Sequence, residues 1–222
     1  MERQSAAPVV PDLVRQRWPH ASSGLELFAS RLATAGVERG LIGPREVPRL
    51  WDRHLLNCAV AVDIAPSRST VLDIGSGAGL PGLVWALVRP DLNVTLVEPL
   101  QRRESFLTEA VAELELADRV QVVRARAEDL AGSVTADVVT SRAVAPWSRL
   151  GPWSLPLVAP QGMVAALKGA SAEAELAASA TALRRAGARR MQVLRFGADV
   201  LEHPTRVVVL RRHDLEDREA TR

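Results

Sequence analysis

The segment Val71-Leu-Asp-Ile-Gly-Ser-Gly-Ala-Gly-Leu-Pro-Gly82 decides the fold class of this chain. Its first residues form a short apolar run that predicts a buried β-strand, and Gly75, Gly77 and Gly79 follow directly. Pro81 then stands where helices often begin. Because glycine has no Cβ, a ligand can lie against the backbone of such a strand-to-helix turn. The segment therefore predicts the ligand-binding turn of an α/β protein.

Strand-like and helical segments alternate after this turn, which indicates a doubly wound, mostly parallel sheet. The further predicted strands are Asn93–Glu98, Val120–Arg126, Ala136–Ser141, Gly162–Lys168, Val193–Phe196 and Arg206–Leu210. The predicted helices are Pro81–Val88, Gln101–Glu115 and Ser171–Ala186, and the segment before Gly162 is expected to be a Pro- and Trp-rich connection. Too few residues separate the last two strands for a parallel crossover, so they are expected to form an antiparallel hairpin.

Two helices are predicted before the sheet. Ser23 and Glu26 have the spacing of a capping box, and Gly36 is expected to end this first helix. A second helix is expected from about Leu50 and should end before Pro66. We therefore divide the chain into an N-terminal helical extension (1–66), an α/β domain (67–212) and a charged tail (213–222).

Length and composition exclude several classes of protein. The 222 residues are 47% hydrophobic and 24% charged, as in folded globular chains, so wholesale disorder is excluded. A single cysteine, Cys58, excludes a disulfide framework and a multi-cysteine zinc site. No apolar run reaches the ~20 residues of a membrane helix, and the N-terminus lacks a signal-peptide core. We expect a cytoplasmic protein with no membrane segment and no metal.

Charge placement is more informative than total charge. The chain has 28 Lys+Arg and 26 Asp+Glu, a formal net charge of +2, which does not identify a partner. The basic residues are almost all arginines, whose planar guanidinium groups suit phosphate and base recognition. Lys168 is the only lysine in the sequence, and it stands at the carboxyl end of a predicted strand.

Two classes of ligand fit the glycine loop. Gly77, Gly79 and Gly82 satisfy G-x-G-x-x-G, and Glu98 follows at about the spacing of a ribose-binding acid, as in nicotinamide-dependent oxidoreductases. Asp73 inside the strand and the closing hairpin argue against that class. A carboxylate at this position favours a ligand with an ammonium or sulfonium group, and S-adenosylmethionine carries both.

The motifs together resemble those of a known family. Asp73-x-Gly75-x-Gly77-x-Gly79 followed by Glu98 is similar to the first two motifs of class I S-adenosylmethionine-dependent methyltransferases. Further elements narrow the resemblance to the RsmG (GidB) family of bacterial 16S rRNA guanine-N7 methyltransferases. These elements are Gly75-Ser-Gly-Ala-Gly-Leu-Pro-Gly82, Arg89-Pro-Asp, Arg53-His54-Leu-Leu, Ser141-Arg142-Ala and Ala166-Leu-Lys168-Gly169. The resemblance runs from about Leu41 to Gly169. It implies a Rossmann-like, seven-stranded sheet with an antiparallel last strand, and 16S rRNA or the small ribosomal subunit as substrate. We expect the chain to act as a monomer.

The resemblance also implies roles for individual residues. The predicted cofactor-binding residues are Asp73, Gly75, Gly77, Gly79, Leu80, Glu98, Ala127, Glu128 and Arg142, with Glu98 on the ribose hydroxyls. Independently of the resemblance, the predicted RNA-binding residues are those expected at or near the ligand end of the sheet: Arg49, Arg53, His54, Arg142 and Lys168. Guanine N7 carries no proton, so no general base is required and no catalytic residue is predicted. Arg142 and Lys168 are expected near the reaction centre in positioning roles.

Two alternatives stay open at this point. One keeps S-adenosylmethionine but replaces RNA with a small molecule or a protein as methyl acceptor. The other is the nicotinamide-dependent oxidoreductase that the match at Gly77 to Gly82 permits.

Overall fold

The computed structural model describes residues 8–212 and contains a single seven-stranded sheet. Its strands are β1 (Thr70–Ile74), β2 (Asn93–Val97), β3 (Val120–Val123), β4 (Ala136–Arg142), β5 (Val158–Lys168), β6 (Arg190–Phe196) and β7 (Thr205–Arg211). The α-helices are α1 (Asp12–Arg17), α2 (Ser22–Arg31), α3 (Leu56–Ala59), α4 (Gly82–Val88), α5 (Gln101–Glu113), α6 (Trp147–Ser154) and α7 (Ala172–Arg185). Within residues 8–212 no helix is long and apolar enough to cross a membrane.

The sheet has the order β3-β2-β1-β4-β5-β7-β6. Strands β1 to β5 pair in parallel, whereas β7 is antiparallel to both β5 and β6. The predicted hairpin is present, with pairs from Arg190 opposite Arg211 to Phe196 opposite Thr205. The doubly wound sheet with one antiparallel strand, predicted from the sequence, is thus confirmed.

The helix after the glycine loop lies between two apolar surfaces. Every residue of α4 is buried, because the sheet covers one side and the N-terminal helices cover the other. The indole N–H of Trp85 in α4 donates to the carbonyl of Cys58 at 3.0 Å, which joins the two layers. In contrast, α5 buries only one stripe, which includes Phe106 and Ala110, as expected of a helix with one face in solvent.

The N-terminal helices share one apolar core with the sheet. Leu25 and Phe28 of α2 belong to the same cluster of buried side chains as Leu83 and Leu96 of the α/β layers. The predicted division of the chain at residue 66 stays a prediction, and one cluster of buried side chains contains residues from both sides of it. The predicted charged tail, residues 213–222, lies outside the described residues.

The predicted start and stop of the first long helix are wrong. Helix α2 begins at Ser22 after Ala21, which makes no capping hydrogen bond, and the Ser22 hydroxyl donates to the Pro19 carbonyl at 3.2 Å. Gly36 does not end the helix, because residues Leu32–Gly36 continue it as a π-helical turn. The chain leaves the helix at Gly40, whose φ of +65° is left-handed.

Other predicted boundaries also differ, and β5 and β6 begin earlier than expected, at Val158 and Arg190. Strand β3 ends at Val123 rather than Arg126, and the predicted connection before β5 contains helix α6. Pro152 and a glycine obscure this helix in the sequence. A Cβ on Gly151 would lie 2.4 Å from Leu183 Cδ2, so the glycine permits close packing of α6 on α7.

Candidate functional site

The glycine loop lies where β1, β2 and β4 end. Gly75, Gly77 and Gly79 all have positive φ, at +67°, +57° and +90°. The backbone N–H of Gly75 donates to the carbonyl of Val97 at 2.8 Å, which ties the loop to the end of β2. A Cβ on Gly75 would lie 2.9 Å from Val144 Cγ2, in the segment that follows β4. The predicted loop is therefore assembled at the carboxyl edge of the sheet, where open α/β sheets bind ligands.

Asp73 is a fully buried carboxylate directly beneath this loop. Its Oδ2 accepts a hydrogen bond from the backbone N–H of Gly82 at 3.0 Å, at the start of α4. Its Oδ1 has no partner among the described residues. Burial raises the pKa of Asp73 from 3.8 to about 7. An unpartnered oxygen on a buried carboxylate is costly, and a cationic group of a ligand would satisfy it.

Glu98 is bonded to the same loop from the end of β2. It is 1% exposed, and its Oε2 accepts from the backbone N–H of Gly77 at 3.0 Å. Its Oε1 accepts from the backbone N–H of Leu100 at 3.1 Å. Because each carboxylate oxygen has a second lone pair, Glu98 retains acceptor sites for two hydroxyl groups. The assignment of Glu98 to ribose stays a prediction.

Leu80, Ala127 and Glu128 lie at the same edge with different exposure. Leu80 is 7% exposed at the end of the glycine loop. Ala127 and Glu128 begin a 3-10 turn after β3, and Ala127 packs against the cluster that contains Ile74. The Glu128 carboxylate is 41% exposed. The structure thus places these predicted cofactor contacts around one edge, and their roles stay predictions.

Arg142 is held by a chain of hydrogen bonds that leads into the N-terminal helices. Its Nη2 lies 2.6 Å from His54 Nδ1, and His54 Nε2 lies 2.8 Å from Glu46 Oε2. A guanidinium has donors only, so Nδ1 accepts and the proton of the neutral ring is on Nε2, which donates to Glu46. Burial and the Arg142 charge lower the pKa of His54. The chain of hydrogen bonds fixes the guanidinium at the end of β4.

The predicted RNA-binding residues of the N-terminal segment divide into two kinds. Arg49 and Arg53 are exposed, with side chains 54% and 51% accessible. His54 is buried, and both of its ring nitrogens bond to other side chains of the protein. The geometry therefore favours a role for His54 in positioning Arg142. Its predicted contact with RNA stays untested. Sequence reasoning missed Glu46, which also accepts from Arg53 at 3.0 Å, because nothing in the local pattern marks it.

Lys168 stands at the end of β5, as predicted, and its charge is paired. Its Nζ donates to the Ala145 carbonyl at 3.3 Å and to Glu175 Oε2 at 3.2 Å. It also lies 4.9 Å from the centroid of the Trp147 ring. Only 11% of the Lys168 side chain is exposed. Glu175, in the first turn of α7, is a second residue that sequence reasoning did not single out for the site.

The chain matches the model of one protein family. Residues 21–203 match GidB, described as rRNA small subunit methyltransferase G. A protein of Salinispora tropica named ribosomal RNA small subunit methyltransferase G is 59% identical over 191 residues, which are 83% of this chain and 79% of that protein. A protein of the same name from Streptomyces avermitilis is 51% identical over 209 residues, covering 94% and 87%.

Solved structures with similar folds are methyltransferases of several kinds. The apo form of the S-adenosylmethionine-dependent methyltransferase SibL matches with a TM-score of 0.62 at 17% identity, covering 90% of this chain and 70% of that one. Ribosomal protein L11 methylase from Lactobacillus delbrueckii matches with a TM-score of 0.53 at 16% identity, covering 71% and 77%. At these identities the structural matches support the Rossmann-like methyltransferase fold alone.

The family match covers the glycine loop, the hydrogen-bond chain at Arg142 and the end of β5 together. It excludes the nicotinamide-dependent alternative, whose motif coincides with part of the loop. The chain belongs to the GidB family, rRNA small subunit methyltransferase G, and is an rRNA methyltransferase.

Proposed function

We propose that this chain transfers the methyl group of S-adenosylmethionine to N7 of a specific guanine in 16S rRNA of the small ribosomal subunit. It would act as a monomer in the cytoplasm. Family membership supports the reaction class. The observation that carries the cofactor assignment is Asp73, a buried carboxylate beneath the glycine loop with one oxygen that has no partner within residues 8–212.

The residues present fit S-adenosylmethionine. The carboxylate of Asp73 would face the ammonium group, and Glu98 would accept from the ribose hydroxyls. Gly75 and Leu80 would supply backbone against which the ligand lies, and Glu128 would contact the adenine. When bound, the cofactor would supply an electrophilic methyl group for N7, with the thioether sulfur as leaving group.

The chain has to bind and orient the guanine rather than move a proton. N7 is an unprotonated acceptor on the major-groove edge of guanine, so methylation needs no general base. Catalysis then rests on proximity and orientation. Two cations near the edge have anionic or acceptor partners, Lys168 through Glu175 and Arg142 through His54 and Glu46. This pairing limits their repulsion of the positive charge that develops on the guanine ring.

The N-terminal helices supply exposed positive charge for the RNA backbone. Arg49 and Arg53 lie on the helical segment that also carries His54, and His54 contacts Arg142 at the carboxyl edge. A phosphate held by these arginines would therefore approach the sheet from the side of the extension. RNA affinity should fall steeply as the salt concentration rises, because each phosphate contact releases counterions.

The deciding experiment is methyl transfer in vitro. Purified protein and radiolabelled S-adenosylmethionine are incubated with small ribosomal subunits, or with free 16S rRNA, from cells that lack the chain. We expect label in 16S rRNA that is recovered as 7-methylguanine after digestion. Absence of label in both substrates would refute the proposal.

Two variants separate cofactor binding from RNA binding. Asp73→Ala should abolish binding of S-adenosylhomocysteine in calorimetry, whereas Lys168→Ala should retain that binding and lose RNA methylation. Salt dependence separates RNA from other methyl acceptors. If RNA is the acceptor, the rate of methyl transfer should fall steeply as the salt concentration rises. If the acceptor is a small molecule or a protein, the rate should depend little on salt.

A further inference from the structure

A groove lies between the segment after β4, the end of β5 and the start of α7. It has a volume of about 570 Å³ and is lined by Ala143, Val144, Ala145, Pro146, Lys168 and Glu175, among others. We call it the Lys168 groove. Val144 also meets the position where a Cβ on Gly75 would lie, so the groove adjoins the glycine loop.

The charges in the Lys168 groove do not suit a phosphate. The Lys168 ammonium pairs with the Glu175 carboxylate at 3.2 Å, so a phosphate near Lys168 would also meet a negative group. A neutral, polar and planar group meets no such repulsion. The apolar side chains of Val144 and Pro146 line the same space, as the walls around an unstacked nucleobase often do.

The hydrogen-bonding capacity that remains in the groove has a definite pattern. Of its three N–H donors, Lys168 uses one on the Ala145 carbonyl and one on Glu175 Oε2, which leaves one. Glu175 Oε1 accepts from the Ser171 hydroxyl at 2.5 Å, and Oε2 accepts from Lys168. Each carboxylate oxygen then retains an acceptor site. Lys168 and Glu175 together therefore offer one donor beside two acceptors.

One nucleobase presents the complementary pattern on its Watson–Crick edge. Guanine has the acceptor O6 followed by the donors N1–H and N2–H₂. Adenine and cytosine each present an amino donor where guanine has O6, and uracil has a single ring N–H between two acceptors. The free donor of Lys168 and the free acceptor sites of Glu175 thus match the Watson–Crick edge of guanine and do not match those of the other three bases.

We propose that the Lys168 groove holds the target guanine by its Watson–Crick edge, with Lys168 donating to O6 and Glu175 accepting from N1–H and N2–H₂. This inference rests on the proposed function and adds the site and the residues that select the base. O6 and N7 are neighbours on the major-groove edge. A base bound in this way leaves N7 free of hydrogen bonds to Lys168 and Glu175.

The test compares guanosine with inosine at the methylated position of reconstituted small subunits. Inosine lacks the N2 amino group and retains O6, N1–H and N7. Wild-type protein should methylate guanosine about tenfold faster than inosine at subsaturating subunit concentration, since a Glu175 oxygen that the bound base encloses would lose its donor. In Glu175→Gln, whose amide cannot accept from both donors, this ratio should fall close to one.

Glu173→Gln is the matched control. Glu173 lies in the same first turn of α7 but pairs with Arg195 at 2.7 Å and Arg206 at 3.4 Å, away from the groove. This variant should retain the wild-type ratio. If Glu175 has a structural role alone, Glu175→Gln will slow both reactions equally and leave the ratio unchanged, which overturns the inference.

If Glu175→Gln does not fold, the wild-type protein alone still tests the inference. Equal rates on guanosine and inosine subunits for the wild-type protein would also overturn the inference. A wild-type protein that methylates neither substrate would contradict the proposed function itself, so the two failures are distinguishable.

Discussion

Replacing Asp73 by asparagine should change how stability depends on pH. Burial raises the pKa of Asp73 from 3.8 to about 7, so ionisation costs more in the folded chain than in the unfolded chain. The favourable contribution of the protonated group is fully present below pH 3.8 and is lost as the pH rises through about 7. At about 1.4 kcal/mol per pKa unit, the wild-type protein loses about 3 kcal/mol from this group between roughly pH 5 and pH 8. An asparagine does not titrate.

Urea unfolding followed by circular dichroism measures this effect. The free energy of unfolding of Asp73→Asn, minus that of the wild-type protein, should rise by about 3 kcal/mol from roughly pH 5 to pH 8. Other titrating groups are common to both proteins and cancel in the difference. The amide N–H₂ replaces an oxygen that has no partner in the described part of the chain, which costs about 1–3 kcal/mol at every pH but does not alter the slope. A difference that stays constant across this range would refute the reasoning.

The same carboxylate should control cofactor affinity. If Asp73 receives the ammonium group, wild-type affinity for S-adenosylhomocysteine should rise as Asp73 ionises near pH 7, and Asp73→Asn should lack this rise. At roughly pH 8 the variant should bind about tenfold more weakly or worse, as expected for a lost charge-assisted hydrogen bond. Asp63→Asn is the control, since Asp63 is 61% exposed. Unchanged affinity in Asp73→Asn would contradict the ammonium assignment but not the stability result.

Three further measurements test other parts of the structure. Gly82→Ala should lower the free energy of unfolding by about 1–3 kcal/mol, because its Cβ would lie 2.4 Å from a leucine methyl, whereas Gly43→Ala, with its nearest neighbour at 4.0 Å, should be near neutral. Nitrogen-15 shifts of His54 at neutral pH should show the proton on Nε2, and a proton on Nδ1 would contradict the hydrogen-bond chain. Arg31→Ala should lower the free energy of unfolding in urea by about 1–2 kcal/mol, since the Arg31 side chain is 12% exposed, lies over a phenylalanine ring and joins two helices. The control Arg15→Ala should change it by less than about 0.5 kcal/mol.

Features that depend on neighbouring residues were predictable from the sequence. The run from Val71 into Gly75, Gly77 and Gly79 combines a buried strand with backbone angles that favour glycine, and the structure confirms both. The short spacing before β7 likewise determined its antiparallel direction. Helix α6 was missed because its glycine and proline oppose helix formation locally, while packing on α7 outweighs that preference.

The positions of site residues were easier to predict than their partners. Arg142 and Lys168 end strands of the parallel sheet, so their place at the carboxyl edge follows from the alternation of strands and helices. Arg142 meets His54 across 88 residues of sequence, and Glu46 comes from a Pro-containing 3-10 segment. Contacts of this length depend on how the N-terminal helices pack on the sheet, which no local pattern encodes. The pairing of Lys168 with Glu175, from which we infer a contact with the base, is therefore visible only in three dimensions.

The place of β7 has a consequence for biosynthesis. Although β7 follows every other strand in the described sequence, it lies between β5 and β6, and β6 pairs with no other strand in residues 8–212. In β7, Val207 and Val209 belong to one apolar cluster, and Val208 and Leu210 belong to the other. A polypeptide grows from its N-terminus, so neither layer of the core can close until the residues near 210 have been made. A nascent chain that stops before Thr205 leaves two unpaired strand edges, which favour aggregation and make incomplete products targets for degradation.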